Sequence, residues 1–449
     1  MILNVFFYSC MRLCKTLSAC FVLREGVKEK TGVLAWWPWG LLLGVVAAFI
    51  LGGSVRSVTP LYFEAAEHWL QGDDLYIRGG RGFLYLPQAA ILAIPFHMLP
   101  RVPAELLWRL MTIGVFAAGV HRLCRLASGR SGDDFFVVVS VVAVPLAWSS
   151  ALNGQSTLTI SGLLMLAAGD IACYRYWRAA VLLALALALK PLAIVMILLV
   201  APLFRPMRVR LVATCGVAVV LPFLVQAPEY VADQYAECLT MFVDAARLGV
   251  QTLWAQLFGL AKVLKIDVSE PVQAVVRVAA AGLTLAAGWH ACRRVDRARG
   301  LVYLYTLGAC YLMLFNPRTE NNSYAMLGPS IGWCCAEALL VERRRARGLF
   351  YVILALGTVG SHDFGKFLLP AQRAIWLAPL MAVCFSIVVT VRLWHEAAQG
   401  KLHQDAASAA EDVFAAKAEQ IEIGRCAVAP SVAVAQRQEC PASRMPCRL

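Results

Sequence analysis

Two cationic side chains lie inside or beside apolar stretches, apart from the arginine clusters of the chain. Lys190 follows the apolar run AAVLLALALAL and directly precedes a proline, and Arg318 belongs to the polar segment 316–324. A buried ammonium needs an anionic partner, and phosphate suits both ammonium and guanidinium. Both residues are therefore candidates to bind a phosphate-bearing substrate. The structural alternatives are an ion pair or snorkelling for Lys190 and an internal Arg318–Glu320 ion pair.

Three carboxylates are candidate general bases. Glu64 and Asp73 belong to the polar segment 54–82, and Glu320 follows Arg318 closely. A carboxylate near the membrane surface can deprotonate a hydroxyl group that attacks an activated sugar carbon. The alternatives are that Asp73 only builds a turn after Gly72 and that Glu64 faces solvent.

Amide and hydroxyl side chains occur in the same polar segments as the charged candidates. Such groups hydrogen-bond sugar hydroxyls and phosphate oxygens equally well, whereas their structural role would be helix capping or a surface loop. The candidate binding residues of this kind are Asn153, Gln155, Asn321, Asn322 and Tyr324. A further polar group, made of His362, Asp363 and Lys366, is typical of a solvated loop.

The rest of the chain is apolar enough to identify its environment. Of the 449 residues, 60% are hydrophobic and only 15% are charged, and the mean hydropathy is +0.66. Soluble domains carry roughly 25% charged residues. Apolar runs that are long enough to cross a bilayer recur from residue 33 to about residue 391, without the alternating pattern of a membrane barrel. The sequence therefore predicts an all-α polytopic membrane protein and excludes a soluble enzyme.

Arginine clusters between the apolar runs predict the topology. With about twelve transmembrane helices, every cluster falls on the cytoplasmic side together with both termini, as the positive-inside rule requires. The proline-interrupted segment 83–100 is then a re-entrant or outer-leaflet helix, because a full span would invert every later cluster. The two runs that flank Lys190-Pro191 are short for a bilayer. Their junction inside the membrane indicates a polar cavity, which opens outward.

The predicted organisation has three parts. Residues 1–32 form a cytoplasmic basic leader, 33–392 a transmembrane domain, and 393–449 a cytoplasmic helix with a disordered tail. Within the transmembrane domain, 54–100 form the first outer loop, with amphipathic and re-entrant helices, and 226–270 form a second large outer loop. The predicted location is the plasma membrane.

Several classes of partner and chemistry are not expected. The net charge of +13 is explained by the cytoplasmic arginines, so no nucleic-acid partner is predicted. The 15 cysteines contain no CxxC pair and no zinc-type spacing with histidine, and most lie in apolar segments as small hydrophobic residues. Glycine-rich nucleotide loops and HExxH do not occur in the sequence. No metal and no cofactor are therefore predicted.

The motifs that carry these candidates resemble, in their order and spacing, glycosyltransferase family 87 of the GT-C superfamily. The matching pieces are LYFEAA, GDDLY, YLPQAAILAIPF, LNGQSTL, LALKPLAIVMILLVAPLFRP and NPRTENNSY, and the resemblance spans roughly residues 36–391. It implies a GT-C-like fold and the inverting transfer of a hexose, often mannose, without a nucleotide sugar. The implied partners are a polyprenyl-phosphate sugar donor and a glycan or glycolipid acceptor at the outer membrane face.

One position departs from the family pattern. Such families usually place a catalytic aspartate a few residues before the aromatic pair, where this chain has RSVTP and no carboxylate. Glu64, Asp73 or Glu320 would then replace it. Two alternatives stay open: a transporter or flippase for a lipid-linked or anionic substrate, which shares broken helices and buried charge, and a catalytically degenerate family member.

Overall fold

The computed structural model describes residues 32–53, 57–77, 82–128, 133–251, 254–360 and 376–399, and no β-strand occurs among them. Residues 1–31 of the predicted leader, the group His362, Asp363 and Lys366, and the predicted tail from residue 400 lie outside the described residues. The α-helices, in chain order, are α1 (Trp37–Leu51), α2 (Thr59–Gln71), α3 (Pro87–His97), α4 (Arg101–Ser128), α5 (Asp133–Asn153), α6 (Thr157–Ala172), α7 (Tyr176–Leu189), α8 (Ile194–Leu203), α9 (Arg205–Val220), α10 (Pro228–Gln251), α11 (Leu257–Val263), α12 (Glu270–Arg294), α13 (Arg297–Phe315), α14 (Gly328–Ala336), α15 (Arg345–Val359) and α16 (Leu377–Gln399).

Helices of membrane-spanning length dominate the described part of the chain. Three shorter apolar helices occur as well, namely Thr157–Ala172, Tyr176–Leu189 and Pro191–Leu203. The eight helices that are long and apolar enough to cross a membrane are Leu34–Leu51, Arg101–Ser128, Asp133–Asn153, Arg205–Leu224, Glu270–Arg294, Arg297–Phe315, Asn321–Val341 and Leu377–Gln399. The all-α membrane class is therefore confirmed, and the count of about twelve spans stays a prediction.

The helix break at Lys190-Pro191 is present. Helix α7 ends at Leu189, Lys190 is extended with φ −160° and ψ 131°, and a 3₁₀ turn, Pro191–Ala193, leads into α8. Pro191 has no N–H, and its ring would clash with the carbonyl four residues earlier, so α7 cannot continue through it. The break places the Lys190 side chain between two short apolar helices.

Helices α4 and α6 approach each other closely because two glycines face one another. A Cβ atom at Gly119 would lie 2.7 Å from the Cα of Gly162, and a Cβ atom at Gly162 would lie 2.4 Å from the carbonyl oxygen of Val115. Small residues at such a crossing bring the backbones together and increase van der Waals contact in the membrane. The close crossing fixes α4 relative to the residues that precede α6.

The predicted outer loops pack on each other and form a second apolar cluster beside the main core. Buried residues of this cluster come from α2, α3, α10 and the start of α4. Hydrogen bonds also hold α10 and the residues just before it: Gln234 Oε1 in α10 accepts from the Leu75 N–H at 2.9 Å, and Gln226 Nε2, two residues before α10, donates to the Trp69 carbonyl at 2.7 Å. The two predicted outer loops therefore form one packed layer, which we name the outer-loop layer.

Arginines from several helices gather with acidic partners at one end of the bundle. Glu337 forms ion pairs with Arg299, at 2.6 Å, and with Arg392, while Asp170 pairs with Arg178 at 3.4 Å. Helix α13 begins at this end with Arg297 and finishes at Phe315, about 28 Å away at 1.5 Å per residue. The polar segment that follows α13 therefore lies at the opposite end of the bundle.

Candidate functional site

Glu320 is the centre of a polar cluster at that opposite end. It lies between α13 and the 3₁₀ segment Asn321–Leu327. Gln155, 165 residues away in sequence, lies between α5 and α6, and its Nε2 donates to Glu320 Oε2 at 3.1 Å. The Glu320 side chain is exposed, whereas Gln155 is only 6% exposed. A solvent-accessible carboxylate is thus held by a buried amide.

Lys190 interacts with this carboxylate and with a second cation, Arg318. The Lys190 ammonium donates to Thr157 Oγ1 at 3.3 Å and interacts electrostatically with both Glu320 and Arg318. Arg318 Cζ lies 5.1 Å from the centre of the Trp254 ring. Among the described residues, no carboxylate lies within 4.0 Å of the Lys190 ammonium, so the proposed ion pair of Lys190 is not formed there. We name this set, Gln155, Thr157, Lys190, Arg318 and Glu320, the Glu320 cluster. Its two cations and one carboxylate leave a net positive charge that suits an anion.

Two tyrosines extend the Glu320 cluster toward the outer-loop layer. The Tyr62 hydroxyl lies 2.8 Å from the Tyr85 hydroxyl and 2.9 Å from Ser156 Oγ, and both tyrosines interact electrostatically with Glu320. Burial raises the pKa of both phenols. Because they stay protonated at neutral pH, they are hydrogen-bond donors beside the carboxylate.

A left-handed glycine sets the position of Gln155. Gly154 has φ +69°, and its carbonyl accepts from Trp108 Nε1 at 2.8 Å. A Cβ atom at this position would lie 2.3 Å from Arg109 Nη1, so no other residue fits without a shift. The turn therefore requires glycine for two reasons. Its backbone is in the left-handed region, and Arg109 occupies the space that a side chain would need.

A buried ion pair in α4 contacts the turn at Gly154. Glu105 and Arg109 pair at i,i+4 within α4, and they are 6% and 0% exposed. Arg109 Nη2 also donates to Ser57 Oγ at 3.0 Å, and the Thr59 hydroxyl donates to the Glu105 carboxylate. The segment without the family's aspartate is thus hydrogen-bonded to a carboxylate from α4. The sequence motifs do not include Glu105. An acid and an arginine at i,i+4 inside an apolar helix nevertheless indicate a buried ion pair, and this pattern marks Glu105 and Arg109.

Arg277 on α12 is a second residue that the motifs did not reveal. Its Nε donates to the carbonyl of Phe315 at 3.1 Å, Nη2 donates to Gln273 Oε1 at 3.2 Å, and Cζ lies 4.9 Å from the centre of the Phe258 ring. Phe315 is the last residue of α13, so Arg277 fixes the point from which the segment with Arg318 and Glu320 departs. A lone arginine in a largely apolar helix was the signal in the sequence.

The two first-loop candidates lie elsewhere. Glu64 lines a separate cavity together with His68, and Asp73 is exposed in the turn after α2. The Asp73 carboxylate lies 3.8 Å from His68 Nδ1, and its backbone carbonyl accepts from the Tyr230 hydroxyl at 2.7 Å. Of the three candidate bases, Glu320 is the one that interacts electrostatically with Lys190.

The remaining candidates differ in what they contact. Asn153 is the last residue of α5, and its backbone carbonyl accepts from the Val58 N–H at 2.9 Å. The side-chain carbonyl oxygens of Asn321 and Asn322 are shielded from solvent and, among the described residues, have no hydrogen-bond donor. Tyr324 is buried, and its hydroxyl donates to the carbonyl of Ala255 at 2.9 Å, which is a packing role.

Comparisons with known proteins identify the family of the chain. The family model of glycosyltransferase family 87 matches residues 83–317, just over half of the chain. A relative from Mycobacterium tuberculosis, a polyprenol-phosphate-mannose-dependent α-(1-2)-phosphatidylinositol pentamannoside mannosyltransferase, is 25% identical over 301 residues, which cover 66% of this chain and 67% of the relative. Apolar helices of spanning length and the family match lead to one conclusion: the chain belongs to glycosyltransferase family 87 and is an integral membrane glycosyltransferase.

Proposed function

We propose that this protein transfers a hexose, with mannose as the first candidate, from a polyprenyl-phosphate donor to a hydroxyl group of a glycan or glycolipid acceptor. The reaction takes place at the outer membrane face and inverts the anomeric centre. The observation that carries the proposal is the Glu320 cluster, in which the Glu320 carboxylate interacts with Gln155 and Lys190, and Lys190 also interacts with Arg318. The printed name of the mycobacterial relative supports the class of donor.

Lys190 and Arg318 bind the donor phosphate. When the bond between the anomeric carbon and the phosphate oxygen breaks, the electron pair stays on the phosphate, and polyprenyl phosphate leaves with an additional negative charge. Two fixed cations at this point stabilise the developing charge more than the ground state, which is the usual source of electrostatic catalysis. Lys190 lies between two short apolar helices, and in this proposal its ammonium meets the lipid phosphate at the edge of the apolar core.

Glu320 is the general base. It takes the proton of the acceptor hydroxyl while the hydroxyl oxygen forms a bond to the anomeric carbon, and the face opposite to the phosphate is attacked. Gln155 orients the carboxylate through its hydrogen bond to Oε2. Glu64 and Asp73 are not assigned this role, because Glu64 lines a separate cavity and Asp73 lies in the exposed turn after α2.

Asn321 and Asn322 bind hydroxyl groups of the substrates. Their side-chain oxygens are shielded and lack a donor within the described residues. A buried acceptor without a partner is unfavourable, and sugar hydroxyls are donors of suitable size for this position. Asn153 lies one residue before the turn and stays a candidate of the same kind.

The test is a transfer assay on the purified full-length protein in detergent, with polyprenyl-phosphate-linked mannose, glucose and arabinose as donors and a membrane lipid extract as acceptor. We expect release of polyprenyl phosphate and a glycosylated lipid from at least the mannose donor, with an inverted anomeric configuration by NMR. The variants Lys190→Ala and Glu320→Gln should each lower kcat by about 10²–10⁴-fold, the range for losing one electrostatic or acid–base group.

Lys262→Ala is the matched control, because this lysine lies on α11 outside the Glu320 cluster. Its turnover should equal that of the unchanged protein. Turnover by Lys190→Ala or Glu320→Gln at the level of the control refutes the assigned roles, and no consumption of any of the three donors refutes the proposed reaction.

A further inference from the structure

A second polar cavity lies in the outer-loop layer, apart from the Glu320 cluster. It has a volume of about 250 Å³. One wall is a single face of α2, on which Leu61, Glu64, Ala65 and His68 follow the i, i+3, i+4, i+7 spacing of a helix. The opposite wall consists of Asp74, Leu75, Ile77 and Phe83. The cavity therefore combines two carboxylates and an imidazole with an aromatic ring and aliphatic side chains.

The polar groups of the cavity are held in different ways. Asp74 is fixed, since its Oδ1 accepts from the Tyr76 N–H at 2.8 Å and its carboxylate also hydrogen-bonds Glu237. His68 Nδ1 is shielded from solvent and has no hydrogen-bond partner among the described residues; Asp73 Oδ2 lies 3.8 Å away. Glu64 and His68 line the cavity from α2, and Asp74 lines it in a conformation that its hydrogen bonds hold.

An aromatic row connects this cavity to the Glu320 cluster. The ring of Phe83 lies in the cavity wall, 5.3 Å from the ring of Tyr85, and the Tyr85 hydroxyl is 2.8 Å from that of Tyr62. Tyr62 follows Leu61 on α2, and both tyrosines interact electrostatically with Glu320. The cavity and the proposed catalytic carboxylate therefore lie on two sides of the same row of rings.

We propose that this cavity binds a neutral sugar ring of the acceptor. This proposal rests on the proposed function and names the place where the acceptor is recognised. Carboxylate oxygens and an imidazole nitrogen accept hydrogen bonds from neighbouring sugar hydroxyls, and the Phe83 ring packs against the C–H face of a pyranose. The cavity is somewhat smaller than sites that hold drug-sized ligands, which suits a single ring.

The first test measures binding without turnover. Methyl α-D-mannopyranoside is titrated into the full-length protein in detergent and followed by saturation-transfer NMR. Glu64→Gln and His68→Ala should each weaken binding by about tenfold or more, because each removes a hydrogen bond to a charged or buried group. Glu67→Gln is the matched control: this residue is exposed on another face of α2 and contacts Gln71, so binding should not change. Equal binding by Glu64→Gln and Glu67→Gln, or no saturable binding by the unchanged protein, overturns the proposal.

The second test separates this proposal from the proposed function. In the transfer assay, Glu64→Gln and His68→Ala should raise the KM for the acceptor by about tenfold and leave the KM for the polyprenyl-phosphate donor unchanged. If transfer occurs and the acceptor KM stays the same, the cavity is not the acceptor site, although the function holds. If no transfer occurs but sugar binding is lost only in the cavity variants, the reaction is refuted while the sugar site stands.

Discussion

Replacing Gly154 by alanine should destabilise the protein and disturb the Glu320 cluster together. Gly154 has φ +69°, and alanine in this left-handed conformation costs about 1–2 kcal/mol. The added Cβ atom would also lie 2.3 Å from Arg109 Nη1, well inside contact distance. Arg109 has no free direction to move, because it is bonded to Glu105, to Ser57 Oγ and to the carbonyl of Leu152.

The magnitude follows from what Arg109 must give up. Losing one hydrogen bond to a charged group in a buried site costs about 1.5–3 kcal/mol. Added to the backbone strain, this gives a destabilisation of about 2.5–5 kcal/mol for Gly154→Ala. The same shift moves Gln155, the next residue, away from the Glu320 carboxylate that it holds at 3.1 Å. We therefore expect a lower kcat in the molecules that still fold.

The assay is thermal unfolding in detergent. Unfolding is monitored by size-exclusion chromatography of the fluorescent-tagged protein and by tryptophan fluorescence. Gly114→Ala is the matched control: Gly114 lies in α4, and no atom lies within 4 Å of a Cβ added there. Alanine at this helical position should be neutral or stabilising by up to about 1 kcal/mol. A Tm of Gly154→Ala equal to that of Gly114→Ala would show that the turn tolerates a side chain and that this reasoning is wrong.

Two further predictions concern the scaffold of the site. Arg277→Met should lower kcat by about tenfold while the donor KM changes little, because the end of α13 loses a hydrogen bond from a charged donor. Arg277→Lys keeps the positive charge and should restore part of the lost activity. Arg293→Met, at the other end of α12, is the control and should keep full activity. Equal kcat values for Arg277→Met and Arg293→Met would exclude a positioning role. The stability of the outer-loop layer should depend on pH, because a hydrogen bond to Asp74, partial burial and the negative charges of Asp74 and Asp233 raise the pKa of Glu237 to about 7. An acid with a raised pKa in the folded state stabilises the fold fully below its ordinary pKa of 4.5 and loses this contribution as the pH rises through about 7. Hydrogen exchange in α10 should therefore become faster between pH 5 and 8 after correction for the intrinsic rate, and Glu237→Gln should remove this dependence; an identical pH profile in the variant would contradict the assignment.

Local properties of the chain determined the class of fold and the helix break. Apolar runs that are long enough to cross a bilayer must form helices, because a helix satisfies the hydrogen bonds of its own backbone N–H and C=O groups. Composition and run length therefore predicted the membrane class directly. The break at Lys190 was equally local, because Pro191 cannot donate the hydrogen bond that a continuing helix requires. For the same reason the sequence identified Lys190, Arg318 and Glu320 as unusual, since charged groups outside the arginine clusters are unfavourable in this environment.

Only the tertiary structure decided which of these residues act together. The hydrogen bond between Gln155 and Glu320 joins two turns that are 165 residues apart, and it depends on how α5, α6 and α13 pack. Periodicity and spacing describe neighbours within one or two turns of a helix, so they left three carboxylates as equal candidates. Packing separated them: Glu320 lies near Lys190, which also interacts with Arg318, whereas Glu64 lines a cavity of the outer-loop layer and Asp73 lies in an exposed turn. The charges were visible in the sequence, whereas their distances were set by contacts between segments that are far apart in the chain.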